Sequence, residues 1–232
     1  MRIAVMQPYI FPYLGYFQLI TAVDKFVLFD DVNFIKKGWI NRNRLLANGS
    51  IISFTIPLNK VSQNKLIKDI EISCETNWRP KLLKTITAAY SKAPYFGAIF
   101  PIVTQVLTAS ETRISELAHN SLLRVLEYLN IGTEVVASSA GYANGHLRAQ
   151  HKILDICRQE QAHEYVNPLG GVALYDKALF KKHGVSLLFL ETALPVYPQF
   201  SFDYVPGLSI LDVLMHNSSD QISQMLLQYR LV

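Results

Sequence analysis

The sequence predicts an α/β protein built on a mostly parallel sheet with helices on both faces, and three observations carry that prediction. Short, nearly continuous apolar runs at residues 3–6, 25–29 and 185–190 have the length and character of strands buried on both faces. Segments with helical spacing of apolar residues separate such runs, so strand and helix alternate along the chain. The 232 residues are 50% hydrophobic and 17% charged, which supplies a sizeable core and argues against disorder.

The elements follow in order. Residues 3–6 form the first strand. Pro8 and Pro12 forbid a helix through the next segment, because each removes an amide donor and restricts its predecessor. A short helix is expected over 17–23, then a second strand at 25–29, giving a βαβ unit whose strands should be parallel. Residues 30–48 read as a polar loop, 51–57 as a strand and 67–72 as a further short strand. Helical spacing then appears at 78–90, at 96–107 with a break expected at Pro101, and at 114–129 with Ser115 as the expected cap. The stretch 75–130 therefore reads as a helical lobe on a single domain spanning 1–232. Beyond it come a strand at 134–137, a small-residue loop at 138–145, a helix at 150–159, a strand at 163–166, a helix at 175–183 and a strand at 185–190. An aromatic and proline-rich tail closes with a helix at 210–215, where Ser209 is the expected N-cap and Asp212 the partner in a capping box.

Composition excludes several functions. A net charge of +4 is too small for a duplex-binding face. The six histidines are dispersed and the two cysteines lie in unrelated contexts, so no metal-ligand spacing is present. Neither a GxSxG elbow nor a P-loop occurs. No apolar run reaches membrane-spanning length and no cleavable signal pattern opens the chain, so a cytoplasmic protein is expected. Self-association is left open.

The candidate site lies where loops leave the carboxyl ends of the strands, the usual ligand crevice of open α/β sheets. The first such loop offers Gln7, Tyr9, Tyr13, Gly15 and Tyr16, with Gly15 opening a helix whose free amides favour phosphate. The second offers Asp30 and Asp31 as a base or as carboxylates for Mg²⁺, a ribose or an ammonium group, and Lys36 and Lys37 as charge stabilisers. It adds Asn33, Trp39 as a stacking ring, Asn41, and Arg42 and Arg44 as planar forks for phosphate or carboxylate. The third offers Asn167, Gly170, Gly171 and Tyr175. Gln7, Tyr9, Tyr16, Asp30, Asn33 and Arg42 are expected to converge on one concavity.

Four blocks carry a resemblance: MQPYIFPYLGYFQLI at the N-terminus, DDVNFIKKGWINRNR, YVNPLGGVALYD, and the stretch from Tyr197 to Ser209. Together they resemble the WbqC-like family, which is associated with O-antigen and other bacterial surface-polysaccharide clusters. The layout of residues 6–33 is also similar to the nucleotide-binding half of HIGH-type nucleotidyltransferases and pantothenate synthetase. Their His-x-Gly-His turn is here Tyr13–Leu14–Gly15–Tyr16, which keeps the glycine and replaces both histidines. The resemblance implies a transferase that attaches an acyl or amino-acid group to a nucleotide-linked amino sugar, or a non-catalytic protein that binds one. Whether ATP and Mg²⁺, a carrier thioester or an aminoacyl-tRNA supplies the acyl donor is left open.

Overall fold

The computed structural model describes residues 1–74 and 77–232. β1 (Arg2–Met6) and β2 (Lys25–Leu28) are parallel neighbours, with Ile3 opposite Lys25, and α1 (Leu14–Thr21) joins them. α1 begins three residues earlier than the sequence predicts. Pro12 restricts Phe11 rather than Tyr13, so the helix can start directly after an extended Tyr13.

The expected loop over residues 30–48 ends in a strand. β3 (Arg42–Ala47) pairs antiparallel with β4 (Ser50–Thr55) through the Asn48–Gly49 turn, both turn residues having positive φ. An Asn-Gly pair fits that two-residue hairpin because its twist matches the strands. The polar run Arg42–Asn43–Arg44 hides the strand from a hydrophobicity reading. Residues 67–72 form no strand: Ile67–Asp69 is a 3-10 turn, and only single bridges tie Ile72 to Leu58 and Glu71 to Arg113.

Three helices follow: α2 (Trp78–Tyr90), α3 (Phe96–Thr108) and α4 (Ile114–Tyr128). α3 runs through Pro101 without a break, its buried stripe of Ile99, Val103, Val106 and Leu107 continuing across the proline. The one backbone bond lost there is outweighed by that packing, since a buried apolar side chain contributes about 1.5–3 kcal/mol. The N-cap of α4 is Arg113, and Ser115 is buried in the first turn rather than capping it. Then follow β5 (Glu134–Val136), α5 (Ala149–Gln159), β6 (Glu164–Pro168), α6 (Lys177–Lys182), β7 (Ser186–Thr192), α7 (Ile210–His216), α8 (Ser219–Leu226) and β8 (Tyr229–Leu231). The helix expected at 175–183 is shorter, starting after Asp176, whose carboxylate caps it. Neither α8 nor β8 was anticipated from the apolar pattern.

The main sheet has the order β5-β2-β1-β6-β7-β8, parallel except for β8. Alternating residues feed two cores, as the pleat requires. Ala4, Phe26, Leu28 and Val166 join the side carrying α1 to α4; Ile3, Val5, Val27 and Tyr165 join the side carrying α5 and α6. Ser209 caps α7 as expected. Asp212 completes no capping box: fully buried, its carboxylate accepts hydrogen bonds from Tyr90, Tyr197 and Gln199, at 2.9, 2.7 and 2.8 Å. Those donors come from two distant segments, α2 and residues 197–199, so tertiary packing overrides the local cap. Among the described residues no helix is long and apolar enough to cross a membrane.

Candidate functional site

β1 sits where the connections change direction: successive strands leave it toward β2 and β5 on one side and toward β6 and β7 on the other. Such a switch point opens a crevice beyond the strand ends. A cavity of about 390 Å³ lies there, lined by Met6, Tyr9, Tyr13, Trp39, Arg44 and Pro168, with Leu194 and Gly207 at its margin.

The walls of this cavity are held by backbone carbonyls and amides. Phe11 stands at φ 42, a strained conformation for a bulky side chain. Its carbonyl takes hydrogen bonds from Asn43 and Ser209 at 2.6 and 2.7 Å, and its amide donates to Ser121 at 3.3 Å. Three segments thus fix the proline–tyrosine loop. Arg44 donates through Nη2 to the Gly207 carbonyl at 3.0 Å, while its Nε is buried without a partner. Trp39 is exposed, with the guanidinium groups of Arg42 and Arg44 at 5.3 and 5.4 Å from its ring centre. Burial raises the pKa of Tyr9 and Tyr13, and the neighbouring Tyr13 raises that of Tyr9 further. Both phenols therefore stay protonated and can donate.

The other sequence-selected residues are distributed differently. Tyr16 is buried and its hydroxyl donates to the Gln7 carbonyl at 2.8 Å. Gly15 gives close room to the Tyr13 ring and the Thr192 methyl group, where a side chain would overlap both. Arg42 donates to the carbonyls of Gly38, at 2.9 Å, and Lys37, clipping the turn that carries the exposed Lys36 and Lys37. Asn41 donates to Ile56 at 2.8 Å. Asn167 accepts from Tyr165, whose hydroxyl also meets that of Tyr175; Gly171 lies against the Asn167 amide, and Gly170 is open.

Asp30 and Asp31 diverge. Asp30 accepts from the Ser138 hydroxyl at 2.7 Å and the Ser139 amide at 3.2 Å and borders a hollow of about 660 Å³ beside α4. Burial raises its carboxyl pKa, and Asp31 adds to the rise against the Ser138 hydrogen bond. Asp31 accepts from Ser139 and pairs with the buried Lys152 of α5 at 2.5 Å, in a separate hollow of about 380 Å³ that also holds Asn33. The single expected concavity is thus divided. Tyr9, Tyr13, Trp39 and Arg44 come together, while Asp30 lies in one further hollow and Asp31 with Asn33 in another. The two carboxylates line different hollows although both accept from Ser139, and Lys152 already neutralises that of Asp31.

Sequence reasoning passed over Asn43, Lys152 and Ser138–Ser139. Signals existed for each. Lys152 shares a helical face with the apolar Ile156, where a charge needs a partner, and the serines follow β5 one residue beyond its carboxyl end.

The fold and this crevice define an open α/β protein with an aromatic and arginine-bearing cavity at its topological switch point. Residues 7–224 match the WbqC-like protein family, and the chain belongs to it. It is similar to a protein of Mycobacterium tuberculosis (strain ATCC 25618 / H37Rv) named Uncharacterized protein Rv1507c, 27% identical over 218 residues that cover 93% of each chain. No solved structure matches it.

Proposed function

We propose that this WbqC-like protein is a transferase of bacterial surface-polysaccharide biosynthesis, acting in the cytoplasm on a nucleotide-linked amino sugar and attaching an acyl or aminoacyl group to its amine. The observation that supports it is the cavity at the β1–β6 switch point, where Trp39 and Arg44 stand together against two protonated phenols. A tryptophan face stacks on a base or sugar ring, and a guanidinium fork binds two phosphate oxygens at once. Tyr9 and Tyr13 would donate to phosphate or sugar hydroxyls, with Lys36 and Lys37 adding positive potential from the rim. Asp30, which lines the separate hollow beside α4, would hold or accept protons. Gly170 and the Asn167–Tyr175 network would border the donor, an activated acyl compound for which ATP with Mg²⁺ is one source. Catalysis would rest on positioning and charge stabilisation.

The test is a thermal-shift series with uridine- and thymidine-diphosphate amino sugars and with ATP and Mg²⁺, followed by turnover on any ligand found. A ligand at a hundred times its Kd stabilises by about 2.7 kcal/mol, roughly 5–10 °C for a chain this size. No shift with any nucleotide-linked sugar would reject the reading. The second reading, a non-catalytic nucleotide-sugar-binding protein, draws on Tyr16: its hydroxyl is spent on Gln7, leaving the turn without the cationic phosphate ligands of HIGH-type enzymes. Binding without turnover under every donor would favour it.

A further inference from the structure

We infer that the hollow between the end of β2 and α4 is a site for a primary ammonium group, with Asp30 and Glu111 as its anionic holders and His119 as the neighbouring proton acceptor. This rests on the reading of the protein as an amine-modifying transferase and supplies the acceptor's place in it. The hollow lies beyond the carboxyl ends of β2 and β5, where ligands of open sheets bind. Its charges do not balance. Lys68 stands 3.8 Å from Asp69, and Arg113 stands 3.6 Å from Glu116, so these four cancel in pairs. Asp30 and Glu111 make no ion pair among the described residues and leave the lining with two uncompensated carboxylates.

The polar atoms point the same way. Asp30 is 3% exposed, and the hydrogen bonds to Ser138 and Ser139 both fall on one oxygen. Glu111 accepts from Asn120 at 2.7 Å through one oxygen, while the other is buried with no donor. The buried Glu111 oxygen without a donor is costly, and an ammonium brings three N–H groups and a compensating charge. His119, on the same wall, has a buried Nε2 without a partner, and burial keeps its pKa below the ordinary histidine value. A neutral imidazole can take the proton that an amine must lose before it attacks a carbonyl: the ammonium N–H breaks, the electron pair stays on nitrogen, and the proton moves to the ring.

The experiment compares D-glucosamine with D-glucose and N-acetyl-D-glucosamine by saturation-transfer NMR, while the ring resonances of His119 are followed in histidine-labelled protein. Glucosamine should bind at least about tenfold more tightly than either neutral sugar and move the His119 signals, as expected for a charge-assisted contact. Glu111→Gln keeps the Asn120 contact and should remove that preference with little change in Tm; Asp30→Asn should do the same. Equal binding of the three sugars, no binding of any, or a preference that survives both substitutions would overturn the inference. The transferase reading is scored separately by Trp39→Ala. A nucleotide-linked sugar bound in a Trp39-dependent way, without any amine preference, would keep that reading and discard this site. Amine preference with no nucleotide-sugar binding would do the reverse.

Discussion

Replacing Lys152 by methionine should unfold the carboxyl end of β2 before any other single change at this edge. The Nζ of Lys152 donates to the Asp31 backbone carbonyl at 3.0 Å and to its carboxylate at 2.5 Å, and the two side chains are only 4% and 7% exposed. The ammonium also lies 5.5 Å from the Phe29 ring centre. Methionine fills the space of the stem and removes the charge, stranding Asp31 in a buried setting. Breaking such a pair from one side costs about 3–5 kcal/mol. At roughly 2–4 °C per kcal/mol for a chain of this length, the expected loss is roughly 6–20 °C in Tm. Calorimetric or circular-dichroism melts of Lys152→Met, Asp31→Asn and the double variant measure it. The double variant should recover part of the loss, because the stranded charge is then gone, giving a coupling of about 0.5–3 kcal/mol. A Lys152→Met protein melting within about 2 °C of wild type, or strictly additive losses, would refute the view that this pair anchors the strand end.

Four further outcomes are expected. Arg44→Lys should weaken nucleotide-sugar binding about ten- to a hundredfold in calorimetric titrations, since a point charge replaces a fork; unchanged affinity would remove Arg44 from the site. Tyr16→Phe should lose the hydrogen bond to Gln7 and lower Tm by roughly 2–4 °C while leaving ligand affinity intact, whereas a selective loss of affinity would place Tyr16 at the ligand. Asp30→Asn should be at least as stable as wild type at neutral pH yet impaired in turnover. A carboxyl whose native pKa is raised loses stability as pH climbs from its unfolded value, about 3.9, through the native one, and the amide escapes that loss. His119 acts with the opposite sign: its lowered native pKa gives stability present above about 6.5 that is lost as pH falls through the native value, so His119→Gln should flatten the acid limb of the stability curve.

By itself the sequence determined the parallel β1–β2 unit, the helices α2 to α4 and the loops at the carboxyl edge, because apolar runs and helical spacing are local signals. The hairpin of β3 and β4 was less legible: Arg42, Asn43 and Arg44 interrupt the apolar pattern, and only pairing with residues 53–55 makes that stretch a strand. Which residues share a cavity was decided by tertiary structure. Arg44 reaches its place through Gly207, Asp31 is claimed by Lys152, and Asp212 is turned from a helix cap into an acceptor for Tyr90 and Tyr197. Adjacent Asp30 and Asp31 look interchangeable along the chain, yet one borders the hollow beside α4 and the other the hollow beside α5. A sequence names the groups within reach of a strand end; the partner that neutralises a buried charge comes from more than a hundred residues away, and only packing brings it there.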